Sequence, residues 1–67
     1  MYCVIVRRGG EAEVSGPHPA EDIAPTTIGA SIFGARAEWF PDYESALEWA
    51  RKNATKVDDC VKVGEAA

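Results

Sequence analysis

Long apolar runs are missing from this 67-residue chain, and none approaches the roughly 20 residues that a membrane-spanning helix needs. The first apolar stretch, Tyr2-Cys3-Val4-Ile5-Val6, precedes the basic pair Arg7-Arg8, which is the reverse of the order in a secretory leader. A cytoplasmic location without membrane attachment is therefore expected. Basic residues are also scarce: 7 Lys+Arg stand against 11 Asp+Glu, and the net charge of −4 opposes a phosphate backbone. Direct nucleic-acid binding is not expected. Histidine occurs once and cysteine twice, so a metal site would have to combine Cys3, Cys60 and His18 with Asp59, and there is no C-x-x-C or H-x-x-x-H pair to hold two ligands on one rigid element. The sequence accordingly implies no cofactor.

Catalytic constellations are missing as well. Gly29-Ala30-Ser31-Ile32-Phe33-Gly34 lacks the lysine of a phosphate-cradling loop and does not match the G-x-S-x-G pattern of a nucleophile elbow. Asp58 and Asp59 are adjacent on an expected strand and would point to opposite faces, so they do not form a carboxylate pair. With no nucleophile beside an orienting base and little volume to enclose a substrate, the chain reads as a non-enzyme.

What is present is the composition of a folded domain, with 46% apolar residues and charges of both signs. Its length allows a single small α+β domain over 1–67, whose one core would be only marginally stable by itself. Tyr2 to Arg8 reads as a strand, Gly9-Gly10 as a hairpin turn and Glu11 to Val14 as the returning strand. Pro17, Pro19 and Pro25 then deny backbone donors to a central strand, so 15–29 is expected as a long Pro-containing loop with at most one helical turn near Ala20 to Ile23.

Ala30 to Phe40 alternates, with Phe33, Ala35, Ala37 and Trp39 on one face and Ile32, Gly34, Arg36, Glu38 and Phe40 on the other. It reads as the central strand, with a bulge at Gly34. Pro41 stops it, and Asp42 is placed to cap a helix that carries Glu44 in its first turn. Tyr43, Ala46, Leu47, Ala50 and Ala54 recur as one helical stripe, Glu48 is spaced to pair with Lys52, and Val57 to Val63 follows as the last strand. The order is β-β-loop-β-α-β, which predicts a mostly antiparallel sheet of three or four strands with one amphipathic helix packed on one face.

Three surfaces are candidates for contact with a partner. The first is the acidic flank of the helix, with Asp42, Glu44 and Glu48, where Trp49 lies about 120° from the centre of the apolar stripe, beside Asp42 and Asn53. A second is the sheet face away from the helix, where strand parity places Cys3, Ile5, Ile32 and Cys60 with Arg7, Arg36, Glu38 and Lys62. The long loop, with His18, Glu21 and Asp22, is the third. A bond between Cys3 and Cys60 would contribute roughly 3 to 5 kcal/mol in the chain-entropy model, but free, partly buried thiols are the expectation for a reducing compartment.

From the strand ending at Trp39-Phe40, through the Pro41-Asp42 cap and the helix to the last strand, the layout resembles that of many short bacterial and phage-encoded accessory proteins, inhibitors of host defence enzymes among them. That resemblance implies action on a larger host protein complex. The expected function is thus a small acidic protein-binding module. The alternatives are a homodimeric structural protein using the open sheet face, and a thiol or metal function of Cys3 and Cys60.

Overall fold

The computed structural model describes residues 1–61 and arranges them as a four-stranded mixed sheet with two α-helices. Strand β1 (Tyr2–Val6) is built mainly of β-branched and aromatic residues, which suit a pleated, buried surface. It returns through a tight turn into β2 (Glu11–Ser15), with Val4 opposite Val14 and Val6 opposite Ala12. The Gly10 N–H donates to the Arg7 carbonyl at 2.9 Å, and Gly10 takes a φ of 89°, which glycine adopts without a Cβ clash. Only the second glycine of the pair is left-handed, and β1 ends at Val6 rather than Arg8.

The 15–29 segment, expected as a loop, is helical over its second half. A 3-10 turn over Ala20–Asp22 leads straight into α1 (Ile23–Ile32). Pro25 is the third residue of α1, within the first turn, where a backbone N–H would have no acceptor in the helix anyway. It therefore does not interrupt the helix. At the other end the Gly34 N–H donates to the Ser31 carbonyl at 3.0 Å and the Ala35 N–H to the Ala30 carbonyl at 2.8 Å, with Gly34 at a φ of 77°. This is the Schellman closure of a helix. Gly34 is a helix stop and not a strand bulge, and the strand expected from Ala30 begins only at Arg36.

Strand β3 (Arg36–Phe40) runs antiparallel to β1, and β4 (Lys56–Asp59) runs parallel to β2, so the order is β3-β1-β2-β4. The strand expected at the centre is thus an edge strand. The last strand stops at Asp59, where Cys60 and Val61 turn helical; Lys62 and Val63 lie outside the described residues. Between β3 and β4, α2 (Tyr43–Asn53) starts at Asp42, whose carboxylate accepts the Ser45 N–H at 2.7 Å. Glu48 pairs with Lys52 at 3.0 Å on its exposed side.

Two of the three strand pairings are antiparallel and α2 packs on one face, the α+β arrangement read from the sequence. Ala46 and Ala50 of α2 are completely buried against Val4, Ala12 and Val14, with Tyr2, Val6, Phe40, Leu47 and Val57 around them. Directly opposed residues of paired strands share a face. Arg36 opposes Val6 and Glu38 opposes Val4, so both lie on the α2 side and not on the open face where parity counted from Ala30 had placed them. Ala37 and Trp39 share the other face with Cys3 and Ile5, and α1 packs there against β3.

Because Ala46 sits in full contact with the sheet, Ala46→Leu is expected to destabilise the fold by about 1–3 kcal/mol in urea titrations, although leucine is a good helix former. Hydrogen bonds from Ser45, first from its backbone N–H, hold the Asp42 carboxyl below its ordinary value near 3.8. A depressed folded-state pKa adds stability that is complete above the ordinary value and is lost as pH falls through the lower one. Asp42→Asn keeps a capping oxygen without the titration. Its melting temperature should lie slightly below the parent at pH 7 and fall less steeply below pH 4, so that the gap closes, which thermal denaturation across pH measures.

Candidate functional site

The α2 flank is engaged in holding the sheet edge. Trp49 is half-buried, its ring 5.8 Å from that of Phe40, with the Arg36 guanidinium 5.7 Å from the ring centre. Arg36 also reaches Glu38 at 3.4 Å. Asp42 is committed to the helix cap and Glu48 to Lys52, and Glu44 lies exposed in the first turn of the helix. The outer side of α2, with Glu44, Glu48, Arg51 and Lys52, is a mixed-charge face suited to water.

His18 is tied into the structure and does not hang in a loop. Its N–H donates to the Met1 carbonyl at 2.7 Å, its ring Nε2 lies 2.9 Å from Ser15 Oγ, and the ring stands edge-on to Trp39 at 5.8 Å. Among the described residues no carboxylate orients the other ring nitrogen, so Ser15 and His18 lack the third member of a nucleophilic triad. Glu21 and Asp22 lie in the 3-10 turn, and Asp22 makes no side-chain cap to α1.

The feature that sequence reasoning missed is α1, because its residues were divided between a loop and a strand. Trp39 pins it to β3: the indole N–H donates to Thr27 Oγ1 at 2.9 Å, and Thr27 Oγ1 donates to the Ile23 carbonyl at 2.7 Å. Ala30 is buried on the sheet side. The ten residues of α1 carry no charge, and Ala24, Ile28 and Ile32, spaced four apart, form one stripe on its outward side. Ile28 is 61% exposed, Ile32 75% and Phe33, just past the helix end, 85%. Ile32, expected on the sheet, is thus on the outside of a helix. The available signals were Pro25 inside a first turn and Gly34 just past a last one.

Where α1 crosses the sheet it leaves a groove of about 670 Å³ beside the β1–β2 hairpin. Ile5, Ala30, Phe33 and Ala35 give it apolar walls, and Arg7, Arg8 and Glu11 lie at its hairpin end. Further along the same sheet face, the ligand atoms of Glu13, Asp58 and Cys60 lie within 4.8 Å of one another, with Arg7 paired to Glu13 at 3.0 Å. The metal grouping weighed from sequence, Cys3 and Cys60 with His18 and Asp59, is not assembled: His18 is held on Ser15 and Trp39, and Asp59 accepts a hydrogen bond from the Tyr43 hydroxyl. Cys3 and Cys60 are not bonded; Cys3 is buried and Cys60 exposed.

Burial, and then the nearby Glu13 carboxylate, push the Cys3 thiol up to about 11. The Cys60 thiol is also raised, by partial desolvation first and then by Glu13, Asp58 and Asp59, with Arg7 opposing. Neither has the lowered value of a reactive thiolate. Among the described residues no helix is long and apolar enough to cross a membrane. No family model, curated protein or solved structure matches this chain.

The contrast between the two thiols has a direct test. One equivalent per chain, Cys60, should react with a disulfide reagent in the folded protein, at a rate that rises with pH, and the second, Cys3, only on adding denaturant. Mass spectrometry of the labelled peptides identifies which residue reacts first.

Proposed function

We propose that this chain is a non-enzymatic protein-binding module whose contact surface is the outward face of α1 together with Phe33. The observation that carries this reading is an uncharged surface helix whose outer stripe holds Ile28 and Ile32, with Phe33 beside them. A helix apolar on both sides belongs between two packing partners, and here the sheet supplies one. Scattered exposed apolar residues are ordinary, but three large ones at the end of one helix form a patch of the kind that marks interaction sites.

The acidic flank of α2 is the weaker candidate, because Trp49, Asp42 and Glu48 each already have an intramolecular role. The unbonded cysteines suit a reducing compartment. Size and architecture favour action by occupancy, as an inhibitor or accessory subunit of a larger host complex. A second copy of the chain is the alternative partner, since a stripe at four-residue spacing can pack against itself about a two-fold axis.

Ile28→Glu and Ile32→Glu should leave the melting temperature within a few degrees of the parent, because both side chains are largely exposed, and should reduce recovery of a stoichiometric partner at least about tenfold. Trp49→Ala should lower stability while the protein that remains folded still binds. Light scattering of the pure chain separates the alternatives: a dimer that Ile28→Glu converts to monomer identifies the second copy as the partner. Retention of the partner by both glutamate variants contradicts the assignment of the surface.

A further inference from the structure

We propose that the groove between α1 and the β1–β2 hairpin is a binding site for a small apolar carboxylate, an alkyl chain with one terminal carboxyl group, with Arg8 as its anion partner. The inference uses the inner side of α1 and not the outward stripe, and shares only Phe33 with the protein-contact surface. The volume of about 670 Å³ falls within the usual range of small-molecule sites. Ile5, Ala30 and Ala35 provide an apolar floor and Phe33 a wall, which suits a hydrocarbon body.

Charge bookkeeping at the hairpin end selects the head group. Of the three charged residues lining the groove, Arg7 is paired with Glu13 at 3.0 Å and Glu11 with Lys56 at 3.9 Å. Arg8 has no acidic partner among the described residues. Its guanidinium lies over Gly34, so close that a Cβ there would stand 2.5 Å from Nε. The unmatched charge at the groove is therefore positive, fork-shaped and next to an apolar floor, which matches a carboxylate attached to an apolar chain.

Gly29 is an independent second observation. Glycine inside a helix is unfavourable relative to alanine, yet Gly29 has no positive φ and a Cβ there would meet nothing within 4 Å. Neither backbone conformation nor close packing requires it. Gly29 does line the groove, and the space around a Cβ at that position is open. Keeping the groove open accounts for a residue that the helix itself disfavours.

The test is a titration of the isotopically labelled protein with decanoate, decanol and decylammonium, followed by amide chemical shifts. Decanoate is expected to give saturable shifts at Ile5, Ala30 and Ala35 with the tightest binding of the three. Arg8→Gln should weaken decanoate about tenfold and leave decanol within about twofold. Gly29→Leu, which substitutes a better helix former, should fold at least as stably and lose both ligands. Absence of saturable shifts at these residues, equal affinity for the three probes, or full decanoate binding by Gly29→Leu would each overturn the proposal.

Discussion

One constraint governs this structure: a four-stranded sheet has two faces, and α2 can cover only one of them. The helix comes as close as it does because Ala46 and Ala50 meet Val4, Ala12 and Val14 without long side chains between them. A close helix makes a tight but small core, and the opposite face, with Cys3, Ile5, Ala37 and Trp39, must find other cover or stay in water. The chain supplies that cover with α1, anchored at one point by the Trp39 indole and Thr27 and buried through Ala30. Cys3, between Trp39 of β3 and Ser15 of β2, is fully enclosed, whereas Ile5 is only half covered and opens onto the groove.

The two helices divide the work differently. α2 is amphipathic in the ordinary sense, capped by Asp42, with Glu48 and Lys52 paired in solvent and small residues against the sheet. α1 has no charge to mark a solvent side, and its outward positions are as apolar as its inward ones. Local preference and exposure therefore conflict in α1 and agree in α2. Such conflicts concentrate at functional sites, which is why the proposed contact surface and the proposed ligand site both lie along α1.

Most of the framework was legible in the sequence. The β1–β2 hairpin follows from Gly9-Gly10 between alternating segments, and α2 from Asp42 with the stripe Tyr43, Ala46, Leu47 and Ala50. The 23–35 segment was not, because each of its signals has two meanings. Pro25 ends a helix from the inside but is harmless in a first turn, Gly34 can be a strand bulge or a helix stop, and Ile28, Ile32 and Phe33 suit strands by propensity. Taking Ala30 to Phe40 as one strand also set the wrong parity for Arg36 and Glu38, since only Arg36 onward is extended. The groove could not be read at all, because it depends on where α1 crosses the sheet.

The most direct test of the account is site-specific photo-crosslinking in the cells that make the protein, with the probe at Ile32 in one variant and at Glu48 in another. A discrete adduct from Ile32, to another protein or to a second copy, with none from Glu48, is the result expected if α1 is the contact surface. An adduct from Glu48 alone would contradict it and return the function to the flank of α2.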